Sequence, residues 1–186
     1  MSNMSVRHLT QMAMLAAISI VIVFFVRFPL IPAAPFLEYT PGDVPLFMAA
    51  FLYGPVAGLV LTVVSALVQG FTISAHSGII GIIMNILSGG SYVLVAGLIY
   101  SKNIVKNTKT VVIAMIAGTV ATTVVMIGFN LIFTPIFMGV PRYIVMGMII
   151  PAFLPFNILR AGINSVLAYA AWRALQSVLV PYVKTN

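Results

Sequence analysis

The sequence predicts an all-α integral membrane protein, a bundle of six transmembrane helices with both termini cytoplasmic. Three observations predict it. Of the 186 residues, 62% are hydrophobic and 6% charged, whereas a soluble domain carries about 25% charged residues. Apolar runs recur along nearly the whole length, giving a mean hydropathy of +1.18. The nine basic residues are dispersed rather than clustered, as orientation signals are in a multi-pass protein. Lipid, not water, must cover most of such a chain.

A span takes about 20 apolar residues, so this length holds about six spans in one domain, 1–186, and little else. That leaves no space for a soluble nucleotide-binding or receptor domain. No Walker-type glycine loop is present either. Energy for any transport must then come from a partner or an ion gradient. Nucleic acid is excluded as a partner, because the basic residues form no water-exposed face. The absence of cysteine excludes disulfides and thiolate metal sites.

The first apolar run, 9–26, exceeds the roughly 7–15 residues of a signal-peptide core and ends in no small-x-small cleavage site. It reads as a retained helix over 9–27. Pro29, Pro32 and Pro35 then forbid regular helix, because each lacks a donor and restricts the residue before it. They open a loop over 28–42 that contains Glu38. Asp43 is expected to cap the second helix, with Val44 and Pro45 at its first positions.

Tyr53-Gly54-Pro55 could kink one long helix or separate two, and charge parity decides. Arg7 and the Lys102, Lys106 and Lys109 group both belong on the cytoplasmic side. An even number of spans must lie between them. Helices over 9–27, 43–53, 55–72 and 79–100 give four. The second is too short to cross about 30 Å unaided, so it needs surrounding protein or a thinned bilayer. Helices over 110–135 and 154–178 complete the six and return Arg173 and Lys184 to the cytoplasm. The outer side receives the 28–42 loop, the 72–78 segment, and a 136–153 loop with Pro141, Arg142 and Pro151. No internal repeat is evident, which disfavours an inverted-repeat transporter.

An ionisable group inside a span is costly and points to function. Arg160 is the candidate. Asn157 stands three residues before it on the same face, and the pair lies within about 8 Å of the expected outer helix end. Its guanidinium can meet a polar ligand there, or snorkel to the headgroups, or pair with Glu38 or Asp43. Asn85, Asn130, Asn157 and Asn164 place further amides in helices four to six. Such amides suit the polar edge of a heterocycle, or hold helices together at about 0.6–2 kcal/mol each. Asn130 and Asn157, level with Arg160, are assigned to the ligand, and Asn164 to structure.

His76 has no companion at metal-ligand spacing. Two carboxylates five residues apart in a loop suit neither general acid–base work nor activation of a hydroxyl, so the chain reads as no enzyme. Ala13 and Ala17 form a small-xxx-small pair that allows close approach of another helix.

These segments resemble the substrate-binding S components of energy-coupling factor (ECF) vitamin transporters, most closely the riboflavin-specific ones. The resemblance covers nearly the whole chain. It is carried by the alanine-rich first helix, by Leu37-Glu38-Tyr39-Thr40-Pro41-Gly42-Asp43-Val44-Pro45, and by Leu52-Tyr53-Gly54-Pro55-Val56-Ala57-Gly58. Met84-Asn85-Ile86-Leu87-Ser88-Gly89-Gly90 and Leu154-Pro155-Phe156-Asn157-Ile158-Leu159-Arg160-Ala161-Gly162 extend it.

The resemblance implies six helices and a vitamin bound near the outer face under the first loop. It also implies a membrane coupling subunit and two ATPases that energise uptake, with riboflavin as transported ligand and no resident cofactor. In the riboflavin branch, asparagines at the positions of Asn130 and Asn157 hold the flavin ring, with a lysine at the position of Arg160. Arginine differs from lysine in reach and donor geometry, which leaves a flavin nucleotide or analogue open. Asn85, Tyr39, Glu38 and Asp43 complete the expected binding set, with Tyr39 or nearby apolar residues packing on the ring. The Ala13/Ala17 pair matches the motif that contacts the coupling subunit. Three other readings stand beside this one: an S component for a different vitamin or precursor, a solitary ion-coupled carrier, and a small membrane enzyme or assembly subunit. The second is disfavoured because no carboxylate lies within a span.

Overall fold

The computed structural model describes residues 6–183 except Ala33, Val105 and Lys106, with side chains as far as Leu175. Lys106 and Lys184, used above to orient the chain, lie outside the described residues. The fold is all-helical: α1 (Val6–Phe25), α2 (Asp43–Tyr53), α3 (Pro55–Phe71), α4 (Gly78–Lys102), α5 (Thr108–Met138), α6 (Arg142–Gly147) and α7 (Leu154–Val183). A two-residue ribbon, β1 (Phe28–Pro29) against β2 (Glu38–Tyr39), folds the 28–42 loop back on itself. Among the described residues, four helical stretches are long and apolar enough to cross a bilayer, whereas α2 and α3 are shorter.

The break between α2 and α3 has a local cause. Gly54 sits at φ 93°, a conformation that glycine adopts without the Cβ penalty, and Pro55 then starts α3 at a position where its missing N–H costs nothing. The two helices pack closely, since a Cβ on Gly58 would stand 2.7 Å from that of Ala50.

Every residue of α2 from Pro45 to Phe51 is buried. It packs against α1, α3, α4 and α7, so a helix of about 16 Å survives because protein surrounds it. Its two ends are pinned to α1. Ser19 Oγ donates to Gly42 O at 2.7 Å, and Tyr53 OH donates to Gln11 Oε1 at 2.9 Å. Phe47 stacks on Tyr92 of α4, with centroids 3.5 Å apart and planes 9° off parallel.

Two expectations change. The 136–153 segment is helical for most of its length, as the end of α5, α6 and a π turn over Ile149–Phe153. α5 runs through Pro135, whose missing N–H leaves the Leu131 carbonyl without its helical donor. Arg142 Nε supplies that bond at 3.0 Å, and Gly139, left-handed at φ 65°, closes the helix. Asp43 is not the cap of α2. Gly42 takes that position, with no side-chain cap, because the Asp43 carboxylate is engaged elsewhere.

Candidate ligand-binding site

The shortness of α2 makes the site. Gly42 lies against α1 at the level of Ser19 and Val23, while α1 continues to Phe25 and its neighbours rise alongside. The end of the bundle that carries the 28–42 loop is therefore not filled, and a cavity of about 150 Å³ occupies it. Its wall comes from the last turns of α1 and α3, the first turns of α4 and α7, and the end of α5. Phe36, Leu37, Glu38 and Thr40 of the loop cover it.

Arg160 lines this cavity. Its Nε and Nη2 both donate to Asp43 Oδ2, at 3.1 and 3.0 Å, and both side chains are largely buried, at 12% and 15% exposure. The same oxygen accepts from Asn164 Nδ2 at 3.2 Å. Asn164 is fully buried. It also donates to Thr40 O at 3.1 Å and accepts from Tyr39 OH at 3.0 Å. A single network thus joins the loop, the start of α2 and the second and third turns of α7. Burial first, and then the Asp43 carboxylate, push the Tyr39 phenol above its ordinary pKa, which keeps it a donor.

The amides divide. Asn130 lines the main cavity, donates to Met126 O at 2.7 Å and accepts from Thr134 Oγ1 at 2.9 Å. One N–H and one lone pair remain to it. Asn85 also lines the cavity and makes no hydrogen bond among the described residues. Asn157 donates to Phe153 O at 2.7 Å and faces a smaller void of about 10 Å³ with Asp43, Ser88, Thr122 and Arg160. That volume is close to that of one water.

At the other side, Arg27 Nε pairs with Glu38 Oε2 at 2.6 Å. Its Nη1 donates to Ile73 O and Ser74 Oγ, both at 3.1 Å, and its Nη2 stands 3.3 Å from His76 Nε2. Arg27 therefore ties the loop to the turn between α3 and α4. Gln69 donates to Ser65 at 2.8 Å, and Ser65 meets Ser19 at 3.0 Å, carrying a polar chain from the cavity to Gly42.

Of the residues expected at the site, Asn85, Asn130, Arg160 and Glu38 share the main cavity, and Asp43 and Asn157 lie beside it in the smaller one. Tyr39 does not line it. That side chain is 4% exposed and turned to Asn164 and to Phe28, whose ring centroid is 5.4 Å away. Its place in the lining belongs to Phe36, Phe137 and Phe156. Sequence reasoning also missed Arg27, Gln69 and Ser74. Nothing in the sequence marks the rings, but Arg27 could have been noticed as the single cation opposite Glu38 across three prolines. Ala13 and Ala17 are far from these residues in sequence and stand exposed on α1.

Among the described residues, helices of this length and apolarity around a cavity with a polar floor define a small multi-pass membrane protein. The family model for the ECF transporter, substrate-specific component, matches residues 7–171, and the chain belongs to that family. It is a transport subunit, not an enzyme. The riboflavin transporter RibU of Staphylococcus aureus (strain TCH60) is 28% identical over 93% of this chain and 92% of its own length. RibU of Streptococcus thermophilus is 28% identical over 94% and 85%. The riboflavin transporter FmnP of Bacillus subtilis (strain 168) is 26% identical over 66% and 64%. A solved structure of the S component of a bacterial ECF transporter matches with a TM-score of 0.79 and 31% identity, over 93% of this chain and 97% of that one.

Proposed function

We propose that this chain is the riboflavin-binding S component of an ECF-type vitamin uptake transporter in a bacterial cell membrane. The observation that carries the reading is one cavity floored by Asn85, Asn130 and Arg160 and walled by three phenylalanines, in a chain whose relatives are riboflavin transporters. A flavin has flat apolar faces and an edge of alternating acceptors and donors. Phe36, Phe137 and Phe156 suit the faces, and the amides with the free side of Arg160 suit the edge. Asn157 lines the smaller void beside Arg160.

In this reading six helices span the bilayer, both termini are cytoplasmic, and the cavity opens outward. Ala13 and Ala17 dock a transmembrane coupling subunit, and two ATPase subunits supply the energy. Two exposed small residues at i, i+4 on a lipid-facing helix suit that contact.

The test is direct. Purified protein is expected to carry a yellow flavin spectrum or, once stripped, to quench riboflavin fluorescence at near one-to-one. A colourless protein that leaves riboflavin fluorescence unchanged would sink the assignment. Trp172 is a poor reporter, because it is buried against Tyr100 at 3.2 Å and does not line the cavity.

A further inference from the structure

The sequence contains two carboxylates, and each is engaged by an arginine that lines the cavity. Glu38 pairs with Arg27 and Asp43 with Arg160. His76 contacts Arg27 but lies outside the cavity lining. The cavity therefore presents N–H donors without a net charge.

At Arg160 the geometry goes further. Two of its three nitrogens are held on one oxygen of Asp43, and Nη1 makes no hydrogen bond among the described residues. Guanidinium is a rigid plane, so holding one edge fixes the direction in which the third nitrogen donates. Asp43 is itself fixed by Asn164, which is bound to Tyr39 and Thr40 of the loop.

We infer that Asp43 is the positioning residue for Arg160 and the determinant that makes this site select a neutral ligand over an anionic one. It aims one donor at an acceptor on the ligand, and it cancels the charge that would otherwise attract an anion. A phosphorylated ligand loses its hydration on entry and finds no uncompensated cation in return. A neutral ligand with carbonyl acceptors meets a donor already oriented. The inference rests on the flavin reading, in which the choice lies between riboflavin and its 5′-phosphate.

Titration of both compounds against the purified protein separates the two claims. Binding of neither would overturn the flavin reading. The wild type is expected to prefer riboflavin by at least about 100-fold, the scale of one charge left without a partner. Comparable affinities would overturn the inference with no variant needed.

Asp43→Asn is expected to weaken riboflavin by about tenfold and to narrow the preference by about tenfold, because Arg160 becomes a free cation. Asp43→Glu retains the charge at a different reach, so it is expected to keep the preference even where affinity falls. Equal loss for both ligands in Asp43→Asn would make Asp43 merely structural and overturn the inference. A full loss of preference in Asp43→Glu would also overturn it.

Discussion

Glu38 and Asp43 are five residues apart, yet they serve arginines at opposite ends of the chain. One holds Arg27, just past α1, and the other holds Arg160 in α7. The Glu38 pair is the more exposed, at 34% on the carboxylate side, so solvent screens it and its worth is modest. Its effect falls on release, since it ties the loop over the cavity. Glu38→Gln is expected to speed riboflavin dissociation about two- to fivefold, read by stopped-flow fluorescence recovery. An unchanged rate would show that the loop is held by other contacts. Arg160 was legible in the sequence because it is a charge set inside a helix expected to span the membrane, away from that helix's cytoplasmic end. Its partner was left open between the two acids, since the loop that carries both has no periodicity to fix their direction. Arg27 was missed because a cation at a helix end is what any membrane helix shows. Its partners Ile73, Ser74 and His76 come from a turn nearly fifty residues away.

α2 and α3 show what a sequence pattern can and cannot convey at the level of elements. Gly54-Pro55 announced a break, and parity of the lysines turned the break into two helices. The loop after α5 was misread because Pro135, Pro141 and Pro151 all signal interruption, whereas Arg142 restores the bond that Pro135 removes. That compensation is tertiary and leaves no local trace. The α2–α3 contact depends on Gly58, where a Cβ would stand 2.7 Å from that of Ala50 and 3.0 Å from its Cα. Overpacking of this kind costs about 1–3 kcal/mol. Gly58→Val is accordingly expected to lower the detergent-solubilised melting temperature by about 3–10 °C. Gly128, where a Cβ meets nothing within 4 Å, is the control, and Gly128→Ala should melt with the wild type. Equal melting of all three proteins would mean that the contact is not tight.

Across the whole molecule, the proposed ligand site and the proposed docking face lie on different surfaces. The cavity draws on the ends of α1, α3, α4, α5 and α7, while Ala13 and Ala17 lie midway along an α1 face that the rest of the chain leaves exposed. Ala13→Leu with Ala17→Leu is expected to abolish co-purification with the coupling subunit and to leave riboflavin affinity within about twofold, since no cavity contact is touched. Loss of both properties together would refute the separation. The buried α2 has a consequence for how the chain is made. A segment of eleven residues is too short to lodge in a bilayer by itself, and its backbone ends would have no partners there. As the chain leaves the ribosome, α2 emerges before α3, α4 and α7, the helices that enclose it with α1. It can take its place only after they arrive, so the Asp43 contact that holds Arg160 is among the last parts of the fold to be completed.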